Sequence, residues 1–210
     1  MRITELRKKV GSLEMHIRDL RIESGKIHGL TGPNGCGKTT LLKMIMGITP
    51  PDSGKIDLEG IQPTDITMTS QRPYLMRASV YDNIVYPLKI RGVRIDKEEI
   101  DTLLERTGLL QHKQQYAGSL SSGERQKLSF LRAIVFHPSL LLIDETLSNL
   151  DPDSEALFRE MIIERRIKDE ATWLIVSHQW DRMNSIFDDI HYMENGKIVN
   201  GRADLNGAAY

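Results

Sequence analysis

The sequence predicts an α/β fold in which a helical segment interrupts an alternating series of strands and helices. Strand and helix patterns alternate before residue 72 and again after residue 138, as they do in a parallel sheet covered by helices. Residues 72–138 carry mainly helical patterns. The apolar run at residues 140–143 is typical of a strand buried inside a parallel sheet. Together these observations predict an α/β core with an inserted helical subdomain.

The first elements are strands and one helix around a glycine-rich loop. Apolar and polar residues alternate over residues 13–18, which predicts a half-buried strand. A strand at residues 27–31 leads into the loop, and residues 38–46 follow with apolar side chains at helical spacing. Alternation at residues 56–59, between two glycines, predicts another short strand.

Two helices are predicted inside the helical segment. Asp96 and Glu99 form a capping pair for a helix that ends at Gly108. A second helix begins near Ser121 and ends at residues 137–138, because the residue before a proline disfavours helical geometry.

The last elements restore the alternation. After the strand at residues 140–143, Asp151 and Pro152 predict the N-cap and the first turn of a helix that continues to about residue 167. Residues 172–176 predict one more strand, and the tail after residue 200 is short and polar.

The composition excludes several classes of protein. The 210 residues include 28 Lys and Arg against 29 Asp and Glu, whereas a dedicated nucleic-acid-binding protein usually has a basic excess. The one cysteine excludes an intramolecular disulfide framework and fits a reducing compartment. We find no signal-like segment near the amino terminus and no apolar run of the ~20 residues that cross a bilayer. We therefore expect a cytoplasmic protein that needs a partner chain for any membrane function.

The glycine-rich loop matches the pattern G-x-x-x-x-G-K-[ST] between a strand and a helix. Glycines let backbone N–H groups surround phosphate oxygens, and the helix presents its positive end to them. Lys38 is placed to contact the β- and γ-phosphates, and the Thr39 hydroxyl to bind Mg²⁺. A glycine-rich turn is the alternative, but the context favours phosphate binding. The residues expected to contact nucleotide here are Gly32, Pro33, Asn34, Gly35, Cys36, Gly37, Lys38, Thr39 and Thr40.

Cys36 has two interpretations. A thiol at a helix N-terminus favours the thiolate and suggests redox sensitivity. The favoured alternative is a small residue at a variable loop position, since no second cysteine is available to resolve an oxidised thiol.

An acidic pair follows the buried strand. Asp144 and Glu145 lie at its carboxyl end, where α/β sheets place ligand groups. Asp144 is a candidate Mg²⁺ ligand, and Glu145 is a candidate to polarise an attacking water. Acidic residues commonly end strands, so the pair is informative only together with the phosphate loop.

Two further polar residues follow strands. Gln71 comes after residues 66–70 and is a candidate ligand for Mg²⁺ or water, and His178 comes after residues 172–177 and is a candidate γ-phosphate contact. A lone glutamine is more often only a loop residue, and an isolated histidine at a strand end is usually structural, so both assignments depend on the wider pattern.

A second anion site is predicted near residue 121. The Ser121 hydroxyl, the Gly123 N–H and the helix dipole all favour an anion. An ordinary serine N-cap is the alternative. The glycine-rich loop and the Ser121 segment are two candidate phosphate sites that lie far apart in sequence. If they do not meet within one chain, they can meet across a dimer.

In this order the motifs resemble those of the ATP-binding cassette (ABC) ATPases, over essentially the whole chain. The matching positions are Gly32–Thr39 for Walker A, Gln71 for the Q-loop, Leu120–Glu124 for the signature, Leu140–Asp144 with Glu145 for Walker B and the catalytic glutamate, Ser148–Asp151 for the D-loop, and His178 for the switch histidine.

The resemblance implies a single domain: a RecA-like P-loop NTPase core with an antiparallel β element and an inserted helical subdomain. It divides the chain into core residues 1–71 and 139–200, helical residues 72–138 and a tail at 201–210. It implies ATP and Mg²⁺ as cofactors. It also implies a head-to-tail dimer with a second copy or a related ATPase, in which ATP lies between Walker A of one chain and Ser121 and Gly123 of the other.

Three departures from the family pattern stand out. Ser122 and Glu124 replace the more common glycine and glutamine of the signature. The short distance between Walker A and Gln71 predicts a trimmed antiparallel β element. No aromatic residue precedes Tyr74, so the usual adenine-stacking ring is missing and Val10 takes its place. His16 is a nearby ring, which we expect on the polar face of its strand.

The resemblance implies an ATP-hydrolysing subunit that energises solute transport through a separate permease, peripherally on the inner face of the cell membrane. Residues 71–92 are similar to importer-type cassettes, where this surface receives a permease helix, and residues 86–89 to oxyanion importers such as tungstate systems. The alternatives are a soluble ABC ATPase acting on nucleic acid or ribosomes and an inactive nucleotide-binding partner. The chain has no long coiled coil or second cassette, and it retains the catalytic motifs, which favours transport.

Overall fold

The computed structural model describes residues 1–70, 73–146, 151–177 and 184–199. Within these ranges the chain forms two sheets and five α-helices. The strands are β1 Arg2–Val10, β2 Leu13–Arg21, β3 Ile27–Thr31, β4 Ser53–Asp57, β5 Ile66–Ser70, β6 Leu140–Asp144, β7 Thr172–Val176, β8 Asp189–Glu194 and β9 Lys197–Val199. The helices are α1 Lys38–Ile45, α2 Val80–Arg91, α3 Lys97–Arg106, α4 Ser122–Ile134 and α5 Pro152–Asp169.

The first sheet is antiparallel and has three strands in the order β2-β1-β4. Strands β1 and β2 form a hairpin in which Val10 pairs with Leu13 across a turn that contains Gly11 in the left-handed region, at φ 59°. The pairing of β1 with β4 is irregular between Thr4 and Arg7, where Glu5 has a φ of 47°. Strand β1 is not among the elements that the sequence pattern predicts.

The second sheet has six strands in the order β5-β6-β7-β3-β8-β9. Strands β5 to β8 are parallel to one another, and β9 returns antiparallel to β8. The carboxyl ends of β3, β5, β6 and β7 therefore meet at one edge. The predicted strands at residues 27–31, 140–143 and 172–176 are confirmed as β3, β6 and β7.

Alternate residues of the parallel strands separate two cores. On one face, Ile143 and Ile175 pack with side chains of α2 to α5. On the other face, Leu142 and Leu174 pack with α1 and with the antiparallel sheet. Because successive residues of a strand point to opposite faces, the parallel sheet is buried on both sides. The predicted α/β class is confirmed.

The helix starts follow the predicted capping residues. Asp96 accepts hydrogen bonds from the backbone N–H groups of Glu98 and Glu99 at the start of α3, and Asp151 accepts one from Ser154 N–H at the start of α5. The helices α2, α3 and α4 all lie between β5 and β6 in sequence. Helix α2 begins at the N-cap Ser79 and contains Pro87.

None of the helices in the described ranges combines the length and the apolar character that a membrane crossing needs.

Candidate functional site

The glycine-rich loop connects β3 to α1 at the carboxyl edge of the parallel sheet. Gly32 has a φ of 142°, and a Cβ atom on it would lie 1.8 Å from the carbonyl oxygen of Met193 in β8. Only glycine combines this backbone conformation with such a close approach. The loop is therefore shaped by contact with the backbone of β8.

The ammonium group of Lys38 is buried inside this loop. It donates hydrogen bonds to the carbonyl oxygens of Gly32 at 2.7 Å and Pro33 at 3.0 Å. The N-cap of α1 is Gly37, which has no side chain to accept from the first-turn N–H groups. A buried cation and uncapped N–H groups in one loop are the arrangement that binds phosphate.

Thr39 and Asp144 connect the loop to the end of β6. The Thr39 hydroxyl donates to Oδ1 of Asp144 at 3.1 Å. Burial raises the pKa of Asp144, the Thr39 hydrogen bond opposes that rise, and the neighbouring Glu145 adds to it. Hydroxyl and carboxylate oxygens are the hard ligands that Mg²⁺ prefers, so this pair fits the ion. A cation here would also favour the ionised form of Asp144.

Glu145 is held at the ends of two neighbouring strands. Its backbone N–H donates to the carbonyl oxygen of Val176 at 3.1 Å, and its φ of 53° lies in the left-handed region. The next residue, Thr146, shares a hydrogen bond of 2.7 Å with Thr69, the penultimate residue of β5. Glu145 thus lies at the same sheet edge as the glycine-rich loop, as the sequence predicts.

Ser121 is the N-cap of α4. Its side chain accepts a hydrogen bond from Glu124 N–H at 3.3 Å, and Oε2 of Glu124 accepts from the Ser121 N–H and hydroxyl at 2.8 Å each. These bonds from Ser121 lower the pKa of Glu124. This reciprocal pair is a capping box, which gives a structural reason for glutamate at this position. The N-cap interpretation of Ser121 is confirmed, and the anion site with Gly123 stays a prediction.

The glycine-rich loop and Ser121 belong to opposite layers of the fold. Helix α1 packs on the sheet face that carries Leu142, whereas α4 packs on the face that carries Ile143. The two predicted anion sites therefore begin helices that lie on opposite faces of the parallel sheet.

Cys36 is buried within the loop. Its Sγ lies 3.9 Å from the Nζ of Lys38, and its carbonyl oxygen accepts a hydrogen bond of 3.1 Å from Gly196 N–H. Redox-sensitive cysteines are solvent-accessible, so the burial favours the small-residue interpretation.

Val10 and His16 lie on the antiparallel sheet. Val10 ends β1 and is exposed, which leaves its apolar side chain available for a base. The Nε2 atom of His16 lies 2.8 Å from Oε2 of Glu5, so the ring is on the polar face, as expected. The adenine contact of Val10 stays a prediction.

Gln71 and His178 lie outside the described residues, as do residues 148–150 of the D-loop-like segment. Of the preceding residues, Ser70 ends β5 and Ser177 directly follows β7.

The β8–β9 hairpin, which supports the loop, was not predicted from the sequence. Met193 lies against Gly32, and Gly196 donates to Cys36. The Asn195-Gly196 dipeptide, with both residues at positive φ, is the strongest short-range signal for such a hairpin.

Comparison with known proteins agrees with this geometry. A family model described as "ABC transporter" matches residues 15–148. The tungstate uptake system ATP-binding protein of Peptoclostridium acidaminophilum is 37% identical over 211 aligned positions, which cover 96% of this chain and 97% of that protein.

Two other relatives are longer. The Fe(3+) ions import ATP-binding protein of Pasteurella multocida (strain Pm70) is 36% identical, over 86% of this chain and 55% of that protein. The methionine import ATP-binding protein MetN 2 of Pseudomonas aeruginosa (strain UCBPP-PA14) is 32% identical, over 86% of this chain and 58% of that protein. The chain spans a little over half the length of these two relatives.

Solved structures share the fold. An ATP-binding subunit of an ABC transporter superposes with a TM-score of 0.85 at 21% identity, over 94% of this chain and 87% of that chain. The CbiO1 protein of Clostridium perfringens, part of an ABC transporter complex, superposes with a TM-score of 0.76 at 25% identity, over 94% and 86% of the two chains. With a family model that matches most of its length and a relative of 37% identity aligned almost end to end, this chain belongs to the ABC transporter family, among its ATP-binding subunits.

Proposed function

We propose that this chain hydrolyses ATP to drive the import of an oxyanion of the tungstate class through a separate membrane permease. The observation that carries the proposal is the nearly full-length alignment with a tungstate uptake ATP-binding protein. The iron and methionine relatives are also named as import proteins, which supports the direction of transport.

The phosphate loop supports ATP binding because Lys38 can exchange its present hydrogen-bond acceptors for phosphate oxygens. Lys38 now donates to two loop carbonyls, and phosphate oxygens are stronger acceptors for an ammonium group. Mg²⁺, held by Thr39 and Asp144, would neutralise charge that develops on the phosphates during hydrolysis. The fixed position of Glu145 at the same edge suits a residue that polarises the attacking water.

Gln71 and His178 complete the proposed catalytic set. Gln71 follows β5 and is proposed to contact Mg²⁺ and the water, and His178 follows β7 and is proposed to contact the γ-phosphate. The remaining loop residues, from Gly32 to Thr40, are proposed to surround the phosphates, and Val10 to contact the base.

A groove beside β5 supports docking of a permease. The cavity holds about 380 Å³ and is bordered by α2 and α4, with Tyr74, Tyr86 and Ile90 exposed around it. Arg132 reaches across to the carbonyl oxygen of Tyr74 at 2.7 Å, which fixes one wall. We propose that residues 72–138 form the helical subdomain that carries this groove, within a single domain whose core is residues 1–71 and 139–200. Through the permease the chain would lie peripherally on the inner face of the membrane.

We also propose a head-to-tail dimer. Because α1 and α4 lie on opposite faces of the sheet, Ser121 and Gly123 are better placed to meet the loop of a second copy, or of a related ATPase, than the loop of their own chain.

A mixture of two inactive variants tests this dimer. A Lys38→Ala subunit and a Ser121→Arg subunit, combined in the complex, should regain one intact site per heterodimer, which gives up to about a quarter of the wild-type ATPase rate in a randomly paired 1:1 mixture and about half in the pure heterodimer. Each variant alone serves as the control. No recovery in a confirmed heterodimer would place the complete site within one chain.

Transport itself is tested in the purified membrane complex. We expect ATP-dependent uptake of tungstate into vesicles that contain this chain and its permease, and no uptake with Lys38→Ala. Uptake of ferric iron or methionine without tungstate would reject the oxyanion. An ATPase rate that responds to DNA or ribosomes, and not to the permease, would reject transport.

A further inference from the structure

Three side chains with metal-binding atoms lie together on two neighbouring strands, away from the ATP site. His28 is on β3, and Asp189 and His191 are on β8. His28 pairs with Asp189, and Leu30 pairs with His191, in a parallel register. Since alternate residues share a face, all three side chains project to the same side of the sheet.

The three candidate ligand atoms are close to one another. Nδ1 of His28 lies 3.3 Å from Nε2 of His191, and that Nε2 lies 3.6 Å from Oδ2 of Asp189. All three atoms fall within 4.8 Å of one another. Among the residues that the structure describes, this is the one such group of three.

A backbone contact orients the His28 ring. Its Nε2 lies 3.1 Å from the carbonyl oxygen of Glu23, which can only accept, so Nε2 carries the proton. Nδ1 therefore keeps its lone pair, and this lone pair faces His191. A carbonyl that holds the far side of an imidazole is the usual support of a metal-binding histidine.

The spacing agrees with a tetrahedral ion. Two nitrogens bound at about 2.0–2.1 Å in tetrahedral geometry lie about 3.3–3.4 Å apart. The two imidazole nitrogens are 3.3 Å apart, where an N–H···N hydrogen bond joins them in the structure. To bind a metal ion here, His191 would carry its proton on Nδ1 instead of Nε2, so that both facing nitrogens offer lone pairs, and the rings would rotate toward the ion.

Burial gives the group one open side. His28 is 1% exposed and the side chain of His191 is 12% exposed, whereas that of Asp189 is 58% exposed. Burial also lowers the pKa of both imidazoles, so both rings are neutral at pH 7. Oδ1 of Asp189 accepts a hydrogen bond of 2.9 Å from Ile190 N–H, and Oδ2, the oxygen nearer to His191, belongs to the most exposed side chain of the three, on the side from which an ion would enter.

We propose that His28, Asp189 and His191 bind one transition-metal ion of the Zn²⁺ class, with water at the fourth position. Two imidazoles and one carboxylate are a ligand set for Zn²⁺ and similar ions rather than for Mg²⁺. The group lies toward the amino end of β3, and the phosphate loop follows its carboxyl end, so this ion is separate from the one bound with ATP. Its structural effect would be to add a side-chain link between β3 and β8, which already pair through their backbones.

Metal titration of the full-length, tag-free and nucleotide-free chain tests the proposal. We expect one Co²⁺ per chain with the intense visible absorption of tetrahedral coordination, displaced by one equivalent of Zn²⁺. His191→Gln should weaken binding at least about 100-fold and Asp189→Asn about tenfold, because they remove a first ligand or its charge. His28 is too buried to serve as the main variant. The matched control is His112→Gln, which changes a half-buried histidine beside Glu124 and should bind like the wild type.

A thermal melt gives a second reading. Zn²⁺ should raise the melting temperature of the wild type and of His112→Gln, and leave that of His191→Gln unchanged. Absence of stoichiometric Co²⁺ binding, an octahedral spectrum, or equal affinity in folded His191→Gln would overturn the proposal. The histidines would then be a hydrogen-bonded pair and nothing more.

Discussion

Substitution of Gly32 by alanine separates the folding role of the phosphate loop from its binding role. The new methyl group would stand 1.8 Å from the carbonyl oxygen of Met193, a backbone atom that cannot rotate away. Gly35 offers a matched control within the same loop. It also has a positive φ, of 78°, but an added Cβ would meet no atom within 4 Å.

The expected cost of Gly32→Ala has two parts. A side chain in this glycine-only backbone region costs about 1–3 kcal/mol. Relief of the contact requires the loop or β8 to move by more than 1 Å, and overpacking of this kind costs about 1–3 kcal/mol more. The sum is about 2–6 kcal/mol. Gly35→Ala has only the left-handed backbone penalty, of about 1–2 kcal/mol.

Thermal and urea unfolding of the nucleotide-free protein measure the stability of both variants. At roughly 2–4 °C per kcal/mol for a chain of this size, Gly32→Ala should melt roughly 4–24 °C below the wild type and Gly35→Ala roughly 2–8 °C below, with Gly32→Ala the lower of the two. The urea midpoints should fall in the same order with unchanged slopes. Equal losses in the two variants would refute the contact with Met193 as the reason for glycine at position 32.

Three further predictions follow from the site. Glu145→Gln should retain ATP binding but slow single-turnover hydrolysis by at least about 100-fold, because the attacking water loses its polarising carboxylate. Wild-type GTP and ATP affinities should lie within about tenfold, and Val10→Tyr should tighten ATP binding roughly 5- to 150-fold by stacking, as read by competition with a fluorescent nucleotide. In the presence of chelator, the free energy of unfolding should fall as the pH drops from 7.5 to 5.5. Burial lowers the pKa of His28 in the folded state, so the unfolded chain binds the proton more tightly in this range.

Each of these three has a contradicting result. A wild-type turnover rate in Glu145→Gln would remove that residue from the reaction. A strong ATP preference that Val10→Tyr leaves unchanged would show that another residue contacts the base. A pH slope that persists in folded His28→Gln and His191→Gln variants would assign the titration to other groups.

Elements with local signals were predicted well. Helices α3, α4 and α5 have the N-caps Asp96, Ser121 and Asp151, and these starts could be predicted because an N-cap acts on N–H groups only two or three residues away. The fully apolar β6 was also evident, since both of its faces are buried. Strands β1, β8 and β9 and helix α2 were missed. The three strands contain charged residues, and their pairing partners are set by the tertiary fold.

Within the site, too, features with a local sequence signal could be predicted and features set by the tertiary fold could not. The site positions Gly32, Lys38, Asp144 and Glu145 could be predicted from the sequence, because each role requires a particular residue type at the end of a particular strand or the start of a particular helix. The hydrogen bonds from Lys38 to loop carbonyls could not be predicted, because every residue has a backbone carbonyl and the sequence does not indicate which one accepts. The approach of His28 to His191 was missed for another reason: it depends on β3 lying next to β8, a neighbour relation that no local pattern specifies.

The position of β3 has a consequence for how the protein is made. Its five residues pair on one side with β7 and on the other with β8, both far later in the chain. A ribosome adds about 5–20 residues per second, so roughly 7–30 s separate the synthesis of β3 from that of its partners. During that interval the apolar strand that leads into the phosphate loop has neither neighbour. A nascent chain that stalls before residue 172 would therefore present an unpaired sheet centre to chaperones, and ATP binding would begin only after β7 and β8 have emerged.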